Sequence, residues 1–249
     1  GTTSAQVISP NAVPLNTWTH VAGVMEANGN MKLYINGALV ATNTQTTILA
    51  RDATRFNNFI GKSNWSGDAL WNGRITDVRI WNVARTQAEI QAGMAIGSIS
   101  GPALGLTAAY PMGSSGQSPT DDASGNNYNL TQNGNMDYIK DNGATGVTQS
   151  LTLGETISGT ATLWIGQGTT SMPECWYEVP ATAQIGGDFT IEGWVNISSY
   201  VDNARFFDFA NGVGNGGTDY LLFSPYASSG DTRGYFNVQG ANGTDYQVR

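Results

Sequence analysis

Hydrophobic and polar residues alternate along most of the chain, which is the pattern of β-strands with one buried face. In residues 31–35 the apolar side chains all fall on one face, and residues 189–195 repeat this alternation. The Asn36-Gly37 pair joins two such runs and predicts a tight hairpin, because both central positions of a type I′ turn need φ above zero. The pattern therefore predicts a three-stranded meander over 17–43.

Shorter runs of the same kind, bounded by glycine, asparagine and serine, predict the other strands. These runs fall around 57–61, 72–82, 105–110, 127–131, 148–153, 161–165, 175–179, 189–197, 204–210, 218–224 and 233–239. Many short strands with regularly spaced turns predict an all-β fold of two packed antiparallel sheets.

One short helix interrupts this pattern. Thr86 and Glu89 have the spacing of a capping box, and Ile90 and Met94 follow at helical spacing. Residues 140–172 are rich in glycine and threonine, and we interpret them as an elaboration of the sandwich.

The amino-acid composition limits the classes of partner that this chain can bind. The chain of 249 residues carries 19 acidic and 11 basic side chains, for a net charge of -8, and its 32 glycines suit many turns. An acidic surface with no basic stripe repels nucleic acid, so we expect no nucleic-acid partner. No apolar run approaches the ~18 residues of a membrane span, so we expect no membrane insertion.

The residues needed for catalysis are scarce. The single cysteine, Cys175, cannot form an internal disulfide, and we expect it to be a small apolar residue on a strand. The single histidine, His20, also falls on a predicted strand, where we expect a structural role. No strand carries the closely spaced carboxylates of sandwich glycosidases. The sequence predicts no catalytic residue and a protein that is not an enzyme.

Several segments, taken in order, resemble the concanavalin A-like, laminin-G-like family in its bacterial branch. These segments are 16–22 (NTWTHVA), 32–40 (KLYINGALV), 59–61 (FIG), 72–82 (NGRITDVRIWN) and the helix at 84–90 (ARTQAEI). The resemblance implies a concanavalin A-like jelly-roll β-sandwich with one short helix. It also implies a location outside the cell or on the cell surface.

The order of the motifs is permuted. Motifs that resemble the opening of the family follow the closing ones, at 109–111 (AYP), 122–126 (DASGN), 177–180 (YEVP) and 188–195 (DFTIEGWV). The resemblance therefore assigns 1–102 to the C-terminal half of one sandwich and 103–249 to its N-terminal half.

Three origins of this order stay open. The chain is one period of a tandem array, a circular permutant, or a pair of half-domains that neighbouring subunits complete. Half a sandwich exposes an apolar face and strand edges, so the halves must meet within one chain or between chains. We favour an array or polymer. At the seam between Arg249 and Gly1 we expect residues 233–248 to run on into 3–9, with contact between subunits.

An oxygen-rich turn is a candidate metal site. Asp121, Asp122 and Asn126 carry oxygen ligands of the kind that calcium prefers. The resemblance implies that this turn lies near the strand with Asp77, which would complete a structural calcium site. An Asx turn that holds no ion explains the same residues, and both interpretations stay open.

Three aromatic residues in predicted loops, Trp65, Trp71 and Tyr226, are candidates for glycan binding, because sugar rings stack on flat aromatic faces. Packing of these rings between the sheets is the alternative, and we favour it for the tryptophans. Trp194 alternates away from its apolar neighbours and is predicted to face outward.

Together these features predict a non-catalytic, structural or adhesive repeat unit of a large surface or filament-forming protein. Its partners are expected to be copies of itself. The alternative is a carbohydrate-binding module of a secreted multidomain enzyme, with a glycan partner.

Overall fold

A computed structural model describes residues 2–44, 54–95, 101–112, 118–134, 137–139, 162–165, 175–212, 217, 219–226 and 230–241. Strands account for most of the regular structure in these residues. They are β1 (Thr2–Ala12), β2 (Thr19–Met25), β3 (Asn30–Ile35), β4 (Ala38–Thr44), β5 (Asn57–Ile60), β6 (Gly73–Trp81), β7 (Leu106–Tyr110), β8 (Thr131–Asn133), β9 (Asp137–Ile139), β10 (Thr162–Ile165), β11 (Trp176–Val179), β12 (Phe189–Ile197), β13 (Phe207–Ala210), β14 (Tyr220–Ser224) and β15 (Arg233–Ala241). The helix α1 spans Gln87–Gly93.

The strands form two antiparallel sheets. The seven-stranded sheet has the order β1-β15-β14-β13-β5-β11-β8. The eight-stranded sheet has the order β4-β3-β2-β12-β6-β10-β9, and β7 also pairs with β6. This arrangement confirms the predicted fold class, an all-β jelly-roll sandwich with one short helix.

Strands from both parts of the sequence alternate within the same sheet. The central strand β12 pairs with β2 on one side and with β6 on the other. β14 lies in the opposite sheet, between β13 and β15. The strands of 189–197 and 220–224 therefore share one sandwich with those of 17–43 and 72–82.

The strands nearest the two ends of the sequence also pair with each other. β1 runs antiparallel to β15, with Thr2 opposite Ala241 and Ile8 opposite Tyr235. The described part of the seam is thus an antiparallel pair within one chain, while residues 242–249 lie outside the described residues. Continuation into a neighbouring unit stays a prediction.

Large aromatic side chains fill the space between the sheets. Phe206, Phe207 and Phe236 are buried there, with ring centroids of neighbouring pairs 5.5 to 6.3 Å apart. Gly193 on β12 makes room for this layer, because a Cβ atom at that position would lie 2.8 Å from the Phe206 ring. Close approach of the sheets thus explains a glycine in the middle of a strand.

The local turn and helix predictions are confirmed. Asn36 and Gly37 have φ values of 49° and 71°, as a type I′ hairpin requires. Thr86 caps α1: its side chain accepts a hydrogen bond from the Glu89 backbone, and the Glu89 carboxylate accepts one from the Thr86 backbone.

The predicted strands differ from the structure at the edges of the sheets. The strand expected at 127–131 begins only at Thr131, because Asn127 has a φ of 60° and belongs to the preceding turn. The three-residue strand β9 was not predicted. Of the elaboration at 140–172, β10 extends the eight-stranded sheet beside β6, while the strand expected at 148–153 lies outside the described residues.

Candidate functional site

A polar groove lies at one end of the sandwich, where three connecting segments meet. Its volume is about 340 Å³, within the range of small-molecule sites. Among the described residues, those that line it are all uncharged. The lining residues are Asn82, Gly105, Leu106, Thr107, Asn126, Tyr128, Thr182 and Gln184.

Tight connections hold the groove residues in place. The backbone N–H of Asn82 donates to the Gly105 carbonyl at 2.8 Å and closes the connection from β6 to β7. Gly105 has a φ of 79°, and a Cβ there would lie 2.8 Å from the Val83 methyl groups. The Asn126 side chain donates to the carbonyls of Leu106 and Thr107, at 3.1 and 2.9 Å. These bonds fix one wall of the groove on β7.

The chemical groups of the groove suit an uncharged polar ligand. Asn82, Thr182 and Gln184 are exposed and present amides and a hydroxyl, which both donate and accept hydrogen bonds. The half-buried ring of Tyr128 adds an apolar surface. Amides, hydroxyls and an aromatic ring together match the hydroxyl groups and C–H faces of a sugar.

The predicted metal ligand Asp122 is engaged within its own turn. One carboxylate oxygen accepts the backbone N–H groups of Ala109 and Ser124, each at 2.9 Å. The other accepts the Ser124 hydroxyl at 2.8 Å and the Tyr128 N–H at 3.0 Å. This is the geometry of an Asx turn, in which protein donors occupy the positions that a cation would take.

The other predicted ligands also have protein partners. Asp77, on a bulge of β6 with a φ of 53°, forms a buried ion pair with Arg79. The Asp121 carboxylate accepts the Ser118 N–H at 3.1 Å. Within the described residues, no group of three or more acidic, histidine or cysteine side chains could hold a metal ion. Protein donors thus engage Asp77, Asp121 and Asp122, and calcium at Asp77, Asp121, Asp122 and Asn126 stays a prediction.

Two of the three aromatic candidates offer little open ring surface. Trp71 is only 1% exposed and packs in the core against Phe206, in keeping with the favoured interpretation, so its ring is not available to a sugar. Tyr226 is half-buried, and its ring stacks on Tyr200 with centroids 5.6 Å apart. These contacts use ring faces that a sugar would need.

Trp65 lies on the outer face of the seven-stranded sheet. Its half-buried ring meets Tyr220 edge to face, with centroids 5.0 Å apart. The Arg205 guanidinium lies between Trp65 and Tyr235, at 5.9 and 5.7 Å from the ring centroids. Trp65 therefore has polar and aromatic neighbours, but it does not line the groove at Tyr128.

A buried carboxylate, Asp208 on β13, anchors the loop that carries Trp65. It accepts hydrogen bonds from the backbone and side-chain N–H groups of Asn64, both at 3.0 Å. Burial raises the pKa of Asp208 to about 6, although these hydrogen bonds act in the opposite direction. The hydrogen bonds from Asn64 to Asp208 hold the loop that carries Trp65 against β13.

A second buried charged cluster lies on the outer face of the eight-stranded sheet, beneath α1. Glu192 on β12 accepts hydrogen bonds from Arg85 at 2.6 Å and from the Trp81 indole at 2.9 Å. Burial raises the pKa of Glu192, while Arg85 and Arg79 lower it. The Arg79 side chain also donates to the Gly93 carbonyl at the end of α1. The cluster thus ties the helix to the sheet.

His20 belongs to this cluster. It is 2% exposed, its Nε2 lies 3.7 Å from a Glu192 oxygen, and its ring meets Trp194 edge to face. Burial lowers its pKa to about 3, and the nearby arginines Arg79 and Arg85 add to this effect, so the imidazole is neutral at neutral pH. A neutral, buried imidazole fits the structural role expected for it.

Trp194 faces away from the core, as predicted, but the chain after α1 covers it. It is 4% exposed, packs with Trp18 and Met94, and donates its indole N–H to the Met94 carbonyl at 2.9 Å. Cys175 is 4% exposed, in keeping with the small apolar residue expected on a strand.

One family model matches part of this chain. Residues 1–91 match the model of a family described as the Concanavalin A-like lectin/glucanases superfamily, in a laminin G branch. The laminin-G-like resemblance is confirmed. Domains of this kind are in general non-catalytic binding domains, typically found outside the cell. The match supports a carbohydrate-binding or adhesive type of module.

Searches of the curated proteins and of the solved structures found no match to this chain. Among the described residues, no helix is long and apolar enough to cross a membrane.

Sequence reasoning did not predict the groove. The sequence predicted Asn126 as a metal ligand, and it predicted no site at Asn82, Tyr128 and Gln184. These residues lie on three separate connections, so no local spacing brings them together. The signal for the groove in the sequence was the set of amide and hydroxyl side chains in turns next to strand ends.

Proposed function

We propose that this laminin-G-like sandwich is a non-catalytic, adhesive glycan-binding module of the extracellular space or the cell surface. The observation that carries the proposal is the uncharged groove lined by Asn82, Asn126, Tyr128 and Gln184. Its amide and hydroxyl groups match the hydroxyls of a neutral saccharide. Its described lining holds no cationic side chain, which favours neutral over anionic sugars.

The buried carboxylates support a binding role. Asp208, Glu192 and Asp77 each have hydrogen-bonding or ion-pair partners that hold a loop, a helix or a strand in place. A glycosidase needs two carboxyl groups that face one sugar. None of these three carboxylates lines the groove.

Binding to a panel of neutral oligosaccharides tests this function. We expect the best ligand of the panel to bind with micromolar to millimolar affinity in calorimetry, without added calcium. Asn82→Ala and Gln184→Ala should each weaken binding about tenfold, since each leaves sugar hydroxyls without a partner. Gln6→Ala, an exposed amide outside the groove, is the matched control. Equal binding by all variants, or no binding to any sugar, would contradict the proposal.

A second candidate function is that of a repeat unit that assembles with copies of itself into a surface array or filament. Support comes from the pairing of β1 with β15, which places the two ends of the described sandwich side by side at one sheet edge. Under this proposal residues 1–102 and 103–249 are the two halves of one domain in permuted order.

Small-angle scattering of a chain with two tandem copies tests the array. We expect two compact sandwiches joined end to end, with a maximum dimension about twice that of one copy. A single copy that unfolds when separated from its neighbour would instead show that each sandwich is completed between units.

A further inference from the structure

The amide side chains of the groove suit a ligand that itself carries an amide. The Asn126 side-chain nitrogen donates to the carbonyls of Leu106 and Thr107, at 3.1 and 2.9 Å. These bonds use the donors of that amide, so the group that Asn126 offers to a ligand is its carbonyl oxygen. The exposed amides of Asn82 and Gln184 both donate and accept. The lining therefore matches a group that combines an N–H with a C=O.

Exposed apolar side chains border the same groove. Val83 follows Asn82 in the chain and is 37% exposed, and its two methyl groups lie against Gly105, 2.8 Å from where a Cβ would be. Leu104 precedes Gly105 and is 99% exposed. We call Val83 and Leu104 the apolar lip. Apolar surface with a polar surround is typical of ligand-binding grooves.

The polar and apolar groups meet at Gly105 and Leu106, which both line the groove. The Asn82 N–H donates to the Gly105 carbonyl, and the Asn126 side chain donates to the carbonyl of the next residue, Leu106. The Val83 methyl groups lie against the same Gly105. Two amides and a methyl surface therefore converge on two adjacent residues.

We infer that the sugar bound in this groove carries an N-acetyl group. The acetamido N–H donates to the Asn126 carbonyl oxygen, and the acetamido carbonyl accepts from the Asn82 amide. The acetamido methyl packs against Val83 and Leu104. A hydroxyl at the same sugar position offers hydrogen bonds without the methyl, and an amine brings a charge. The inference rests on the proposed glycan-binding function and deepens it, because it names the class of sugar.

Calorimetry of the whole chain with three matched trisaccharides tests the inference. Cellotriose, chitotriose and N-acetylchitotriose share one linkage and differ at carbon 2, which carries a hydroxyl, an amine or an acetamido group. We expect N-acetylchitotriose to bind at least about tenfold more tightly than cellotriose, since it adds a methyl and an amide to the contact. It should also bind more tightly than chitotriose, although the net charge of -8 attracts a cation.

Two substitutions in the apolar lip locate the acetamido contact. Val83→Thr replaces one methyl by a hydroxyl of similar shape, and Leu104→Ser removes an exposed apolar side chain. Each should weaken N-acetylchitotriose binding about threefold to fivefold, the effect of one buried methyl, and leave cellotriose binding unchanged. Leu15→Ser is the matched control, because Leu15 is also 37% exposed but pairs with Ile197 opposite the start of β6, whereas Asn82 follows its end.

The outcomes separate this inference from the proposed function. Circular dichroism first establishes that each variant folds. Equal binding of cellotriose and N-acetylchitotriose would overturn the inference and leave a glycan-binding groove. An acetamido preference that persists in full in both lip variants would also overturn it. If no sugar binds, the inference and the proposed function both fail.

Discussion

At the scale of single residues, Asp208 and His20 respond to pH in opposite directions. Burial raises the pKa of Asp208 to about 6 and lowers that of His20 to about 3. The folded chain therefore holds the Asp208 proton more tightly than the unfolded chain does, and the His20 proton less tightly. As pH falls from 7 to 5, Asp208 adds stability and His20 removes it.

Replacing Asp208 isolates its share of this pH dependence. The stability that Asp208 adds is present below its unfolded pKa of about 4 and is lost as pH rises through about 6. On going from pH 7 to pH 5, the wild type should gain about 1 kcal/mol relative to Asp208→Asn. Urea unfolding at both pH values measures this, and the His20 contribution cancels in the difference. Parallel pH profiles for the two proteins would refute it.

Glu192 is expected to matter more for stability than an exposed carboxylate. Glu192→Gln removes the charge that partners Arg85 and Arg79 beneath α1, and it should lower the free energy of unfolding by about 3 kcal/mol. Glu26→Gln, at the more exposed pair with Lys32, is the matched control and should cost under about 1 kcal/mol. Chemical denaturation at pH 7 gives both values. Equal losses would show that the buried cluster does not tie the helix to the sheet.

The contacts of single residues were the hardest features to predict from the sequence. The structural role of His20 followed from its place on a strand, whereas the partners of Asp77 and Asp122 did not follow from their spacing. Asp77 and Arg79 form a buried ion pair, and the positive φ of Asp77 marks a bulge that alternation alone does not show.

At the scale of elements, α1 depends on its capping box. Thr86→Ala removes the side-chain acceptor for the Glu89 N–H and the hydroxyl that donates to the Glu89 carboxylate. The expected cost is about 1 kcal/mol of unfolding free energy. Thr54→Ala, an exposed threonine outside the helix, is the control and should be nearly neutral. A Thr86→Ala protein as stable as the wild type would mean that packing of Ile90 alone sets the helix.

Elements with strong local signals were predictable. The hairpin at Asn36-Gly37 and the capped helix each rest on a few adjacent residues whose backbone preferences agree. The strand expected at 127–131 failed because Asn127 accepts a positive φ, which moves the start of β8 to Thr131. A β-like composition next to a turn does not fix where the turn ends.

At the scale of the whole molecule, the interleaved sheets predict cooperative unfolding. β12 lies between β2 and β6, so neither the segment before residue 102 nor the segment after it can unfold while the other keeps its sheets. Tryptophan fluorescence and far-ultraviolet circular dichroism should therefore give one coincident transition in urea. Two separated transitions would show two independent folding units.

The sandwich as a whole was predictable because alternation and family motifs act over many residues. The groove was not, since Asn82, Asn126 and Gln184 come together only when three connections meet at one end of the sheets. Its existence depends on the tertiary fold, and each connection alone resembles an ordinary polar turn.

The central claim is that the groove is the binding site, and chemical-shift mapping tests it most directly. The isotope-labelled protein is titrated with the neutral oligosaccharide that binds best in the panel, and amide shifts are followed residue by residue. The account predicts the largest shifts at Asn82, Gly105, Asn126 and Gln184, with the outer face around Trp65 unchanged. Largest shifts around Trp65, or shifts spread evenly over the molecule, would contradict it.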